Sequence, residues 1–203
     1  MMKKIILSFT GFLLYMNFSF ALSATDFPTS FSIKADPDCL QCRRLVSGNQ
    51  TLGELKLAPN KKGTFYYFDD QNQLQYTFIL KPKKNYKPLQ FDISDQYQQV
   101  IAHFNVVPTP QTGMVGAFSL LSEDSKTILF TAIPGLFSMG KLTIKDENRV
   151  LGEIVRDFTD LDSEVKITDK QRFLSRAKGV DINILYAALA FNYIGTRLLA
   201  VDE

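Results

Sequence analysis

The sequence predicts a mainly β protein, a closed antiparallel barrel of roughly 10–12 strands enclosing one hydrophobic helix near the C-terminus. Three observations lead there. From Leu52 to about Ile167, short runs alternate apolar and polar residues with a period of two. Turn-forming clusters separate these runs at intervals. The stretch Asp181 to Ile194, DINILYAALAFNYI, is apolar on every side, because its internal asparagines, Asn183 and Asn192, fall on opposite faces of a helix.

The chain begins with Lys3 and Lys4, an apolar run from Ile5 to about Phe20, and small residues at Ser19, Ala21, Ser23 and Ala24. That is the layout of a secretory signal peptide over residues 1–24, with acceptable cleavage after Ala21, Ser23 or Ala24. Neither cysteine follows the apolar run, so there is no lipoprotein box. The expected product is exported, periplasmic or secreted, and forms a single domain over residues 25–203. About 180 residues suffice for a core. The formal net charge of +2 falls to about zero when Lys3 and Lys4 leave. A near-neutral chain argues against a general nucleic-acid binder.

Cys39-Leu-Gln-Cys42 reads as a small closed disulfide in an oxidising compartment. Haem attachment is excluded by Arg43, which stands where C-x-x-C-H needs histidine, and a structural zinc site lacks ligands. A redox-active pair is the alternative. Asp36-Pro37-Asp38 would then open a helix, with Arg43 and Arg44 lowering a thiol pKa. Against it, the downstream chain lacks the strand–helix alternation of a thioredoxin fold.

Gly63 to Phe68 runs into the turn signal Asp69-Asp70-Gln71-Asn72, and Leu74 to Leu80 resumes an extended pattern. Leu89, Phe91 and Ile93 alternate with polar residues, as do Val100, Ala102, Phe104 and Val106. Leu142 and Ile144 repeat the pattern before Asp146-Glu147-Asn148 turns the chain into Val150 to Val155. This is apolar-in, polar-out antiparallel structure with one wet face. The Leu89–Ala102 and Leu142–Gly152 segments form a weak internal repeat, each preceded by another apolar strand pair, Phe65 to Leu80 and Phe118 to Ala132.

A barrel and an all-apolar helix complete each other. The strands need a core, and the helix needs an apolar sheath; at about 21 Å it is too short for the roughly 30 Å core of a bilayer. Asp181 is its expected N-cap and Gly195 its left-handed exit. A strand-rich body ending in LTIKDENRVLGEIVRDF…VKITD…VDINILYAALAFNYI resembles the tubby C-terminal/LURP-one-related/phospholipid scramblase superfamily, approximately from Phe31 to Ile194. The resemblance implies a roughly twelve-stranded barrel around a central helix. It also implies a binding module, with membrane phospholipid contact in some members and no enzyme chemistry established by the fold. The signal peptide and the Cys39/Cys42 pair depart from the familiar intracellular members.

Candidate sites are few. His103 falls opposite the Val100/Ala102/Phe104 face and reads as solvent-facing, and no G-x-S-x-G elbow occurs. Asp160-x-Asp162-x-Glu164 starts an EF-hand spacing that fails at Val165 and Gln171, so with Asp157 these acids read as a solvated face and no metal is expected. The best surface candidate is the loop carrying Lys81, Lys83, Lys84, Tyr86 and Lys87, whose lysines would each gain about 1 kcal/mol near an anionic membrane. Lys61 and Lys62, in another turn, would extend it. The leading expectation is therefore an exported, non-enzymatic module without cofactor, contacting anionic membrane lipid or a protein partner. A thiol–disulfide protein using Cys39 and Cys42 and a lipocalin-like carrier are the alternatives. The helix counts against the carrier, since it would occupy the ligand's space.

Overall fold

The computed structural model describes residues 27–81, 88–108, 115–135, 138–147, 149–177 and 180–193. The expected signal peptide, loop residues Lys83, Lys84, Tyr86 and Lys87, and the helix exit at Gly195 lie outside them. The described residues form twelve strands: β1 (Ser30–Asp36), β2 (Cys39–Ser47), β3 (Gln50–Leu57), β4 (Thr64–Asp69), β5 (Leu74–Leu80) and β6 (Leu89–Ser94), then β7 (Val100–Pro108), β8 (Val115–Ser122), β9 (Ile128–Gly135), β10 (Ser138–Asp146), β11 (Arg149–Arg156) and β12 (Ser163–Ile167). Each pairs antiparallel with the next, and β1 closes the barrel on β12 through Ser30↔Lys166 and Ile33↔Ser163. Closure leaves no unpaired edge.

Hairpins β2–β3, β4–β5, β6–β7, β8–β9 and β10–β11 all turn at the same end of the barrel. Each carries a register shift beside its turn, at Leu45/Val46, Tyr67/Phe68, Ile93/Ser94, Leu120/Leu121 and Ile144/Lys145. Bulges sharpen local twist, and their repetition at one rim curls the sheet shut. The two segments of the sequence repeat become β6–β7 and β10–β11, with the bulge directly after Ile93 and after Ile144. Two of the turns share one chemistry. Asp69 Oδ1 accepts from the amides of Gln71 and Gln73, as Asp95 Oδ1 does from Tyr97 and Gln99.

The helix α2 (Ile182–Ala190) lies inside the barrel, and eight of its nine residues are buried. Asp181 caps it, accepting from the Asn183 amide at 2.7 Å. The single helix expected to Ile194 ends sooner, as a 3-10 turn over Phe191–Tyr193. Phe191 is the hub of the core: its ring lies 5.0 Å from Phe65, 4.8 Å from Phe78, 5.3 Å from Phe91 and 5.0 Å from Phe104. Four consecutive strands, β4 to β7, thus converge on one helical side chain. Where the helix enters, Phe27 stacks on Tyr186 at 4.9 Å and meets Phe173 at 5.6 Å.

Phe173 belongs to α1 (Lys170–Arg176), a short helix capped by Asp169 that sequence periodicity did not disclose. Seven residues are too few to display a face. Strands β1 and β2 also precede the first run of alternation recognised in the sequence. The helix that the redox alternative would have Asp36-Pro37-Asp38 open does not form; Pro37 and Asp38 make the turn between them. Strands β3 and β4 come together at Gly53, where a Cβ would stand 2.1 Å from the Tyr67 hydroxyl and 2.7 Å from the Phe68 carbonyl oxygen.

Candidate functional site

The helix brings one polar side chain into the core. Asn192 is fully buried, its Oδ1 accepting from Ser163 Oγ at 2.8 Å and from Arg156 Nε at 3.4 Å. Arg156 Nη2 donates to the Asn192 backbone carbonyl, and Asn192 Nδ2 donates to Leu189 O at 2.9 Å. A guanidinium thereby caps the carbonyl end of the helix, where the macrodipole is negative. Asn183, on the opposite face, sits at the helix entrance, and its Oδ1 finds no partner among the described residues. The lumen of the barrel is thus occupied by α2, and the remaining candidate residues lie on its outer wall.

On that wall several charges pair with one another. Lys34 pairs with Asp162 at 2.7 Å, Lys56 and Arg44 both with Glu54 at 2.5 Å, and Lys141 with Glu153 at 2.5 Å. Lys81, the described member of the lysine loop, pairs with Asp92 at 2.8 Å. Lys61 and Lys62 sit in the β3–β4 connection at the same end of the barrel as that loop, where Leu80 N donates to Gly63 O at 2.9 Å.

His103 faces outward as its alternation requires, yet it is not solvent-facing: it is only 8% exposed. Its Nδ1 lies 2.6 Å from the Asp92 carboxylate that also holds Lys81, and its Nε2 lies 3.0 Å from the Glu123 carbonyl oxygen. The cross-strand pair Asp92↔His103 explains this cover, since side chains directly opposite on one face must touch. Both ring nitrogens are engaged, so neither is available to a nucleophile in this arrangement.

Cys39 and Cys42 are joined by a disulfide at the start of β2, in the β1–β2 hairpin. The pair lies on strand backbone, so it lacks the helix N-terminus that would stabilise a thiolate. Of the acidic residues near β12, Asp157 accepts from the Thr159 amide at 2.8 Å, which holds its carboxyl below the usual range, and Asp162 accepts from the Ala35 amide at 2.9 Å. Asp160 and Glu164 are exposed. Asp162 thus fastens β1 to the β11–β12 connection and is not part of a free acidic row.

The structure assembles one grouping that sequence reasoning missed. At the bulged end of the barrel, a cleft of about 470 Å³ is lined by Lys126, Thr127, Ile128, Thr131, Lys145, Glu147 and Arg176. Thr131 on β9 and Lys145 on β10 are register partners on the outer face, while the β8–β9 turn supplies Lys126 and Thr127. Arg176, from α1, is fixed by Asp146 Oδ2 at 3.0 Å and by Glu147 at 2.6 Å. Asp146 has a fully buried carboxyl that also accepts from Arg172 at 2.7 Å. Burial alone would raise its pKa, but the hydrogen bonds and charges of Arg172 and Arg176 outweigh that and hold it below the usual carboxylate range. No signal in sequence joins these residues, which come from three separate segments across about fifty positions.

No family model matches the chain, and no curated protein does. Among solved structures it is similar to a protein from Arabidopsis thaliana, at 12% identity and a TM-score of 0.47, over 80% of this chain and 89% of that one. A likeness that loose carries no functional argument, and the twelve-stranded closed barrel stands on its own strand pairing.

Proposed function

We propose that this protein is an exported, non-enzymatic binding module of tubby/LURP-one type that meets anionic phospholipid surfaces through the outside of its barrel. The observation that carries the reading is the helix in the lumen. With Ile184, Leu185, Ala187, Ala188, Leu189 and Ala190 all at most 2% exposed, the space in which a carrier would hold its ligand is taken. Export is supported by the N-terminal layout of Lys3, Lys4 and the apolar run, and fits the Cys39–Cys42 disulfide. Cationic groups at both ends of the barrel, the lysine loop at one and the cleft at the other, supply attraction for a negative surface.

The test is co-sedimentation of purified protein with vesicles of phosphatidylcholine alone or mixed with phosphatidylserine. Binding is expected only to the anionic vesicles, and it should fade towards about 0.5 M salt, where the Debye length shrinks to roughly 4–5 Å. Equal binding to both vesicle types, or to neither, would contradict the reading and turn the search to a protein partner.

A further inference from the structure

Resting on that binding-module reading, we infer that the cleft between β9, β10 and α1 is a phosphate-binding site, with Lys126, Lys145 and Arg176 as its cationic ligands. The state of the two lysines points to an anion. Elsewhere on the wall Lys34, Lys56, Lys81 and Lys141 each lie against a carboxylate. Lys126 and Lys145 make no ion pair among the described residues, although both line the same cleft. Two ammonium groups facing one concavity without an ion pair repel, although Asp124 offsets part of the charge on Lys126, and an anion placed between them relieves the repulsion.

The carboxylates nearby already have partners of their own. Glu147 is held by Arg176 at 2.6 Å, and Asp146 by Arg172 and Arg176. Asp124, in the turn before Lys126, accepts from Ser122 Oγ at 2.5 Å and from the Lys126 amide at 3.0 Å. Three cations therefore face a single carboxylate in the lining, and the guanidinium among them is fixed in place before any ligand arrives. A preset donor loses less entropy on binding than a free side chain.

The cleft's shape and chemistry suit a phosphate. The terminal oxygens of a phosphate monoester take donors from ammonium, guanidinium and hydroxyl groups together, and Thr131 offers a hydroxyl beside Lys145, itself 3.0 Å from Ser119 Oγ. About 470 Å³, open to solvent on one side, accommodates a phosphate with a small polyol attached. Ile128, 50% exposed in the lining, and Val150, 58% exposed opposite Lys145 on β11, give the rim an apolar border. The same phosphate chemistry is offered by a soluble phosphomonoester and by a lipid headgroup, and the border favours the lipid.

The experiment is titration of isotopically labelled protein with glycerol 3-phosphate, read from amide shifts, alongside sedimentation with vesicles containing phosphatidic acid. Saturable shifts are expected at Lys126, Thr127, Thr131 and Lys145. The double variant Lys126→Gln/Lys145→Gln should weaken binding of both probes by at least about tenfold while its thermal transition stays put, because neither ammonium supports the fold through an ion pair. Binding of the soluble probe assigns the site to free phosphomonoesters as well as lipid; binding of vesicles alone assigns it to lipid. Undiminished binding by that double variant, with loss on changing Lys81, Lys83, Lys84 and Lys87 to Gln, would overturn the cleft and leave the module reading intact. Failure of both probes with wild-type protein would overturn both.

Discussion

Arg156, at the end of β11, donates through Nη2 to the backbone carbonyl of Asn192 in the final turn of the enclosed helix. The contact ties the wall of the barrel to its contents at the end where the helix stops. Both residues are buried, so it forms away from competing water. An apolar helix slides easily in an apolar sheath; a directional polar contact gives it one depth and one rotation.

Asn192→Leu removes the acceptor for Ser163 Oγ and Arg156 Nε but leaves the carbonyl contact. It should cost about 1–3 kcal/mol, as expected for buried donors left unpaired. Arg156→Met should cost a similar amount by uncapping the helix. Because both changes break one network, the double variant should be less destabilised than the sum, and a denaturant-unfolding cycle measures the difference. Additive effects would mean that the two groups act independently.

Phe191→Ala empties the space where rings from β4 to β7 meet. A truncation of that kind typically costs about 3–5 kcal/mol. Phe191→Leu should cost clearly less, since it keeps most of the apolar volume. Equal losses for the two variants in urea unfolding would show that cavity size at this position does not set stability.

How much of this was visible beforehand follows from physical range. The alternation of Leu89 to Ile93 and Leu142 to Ile144 reports a wet and a dry face directly, so β6 and β10 were legible. The all-apolar DINILYAALA run had to be enclosed, and that placed the helix in the barrel. Strand β2 was not legible because Arg43, at 2% exposure, points a charged side chain into the interior and breaks the binary pattern. The cover on His103 came from Asp92, which is eleven residues distant and adjacent only once β6 and β7 pair. The cleft was illegible for the same reason on a larger scale: Lys126, Lys145 and Arg176 share no local pattern.

Acid should weaken the clamp at Asp146. Its folded pKa lies below the unfolded value of about 3.9, so protons bind more readily to the unfolded chain. The stabilisation is therefore complete above about pH 4 and is lost as the pH falls through the folded pKa. Asp146→Asn should cost about 1–2 kcal/mol at neutral pH, after discounting for partners roughly a third exposed to solvent. Thermal unfolding of both proteins across pH should show the gap closing as the pH falls below about 4. A gap that does not change with pH would contradict the ionised clamp.

The central claim is that the helix stays in the barrel while the outer wall does the binding. Amide hydrogen exchange, with and without vesicles containing phosphatidic acid, tests it in one measurement. The amides of Leu185 to Ala190 should be among the slowest to exchange and should not change when vesicles are added. New protection should appear on the outside, at the β8–β9 turn and along β9 and β10 around Thr131 and Lys145. Faster exchange through α2 on contact with vesicles would mean that the helix leaves the lumen to meet the membrane, and the account of a filled barrel acting from its surface would be wrong.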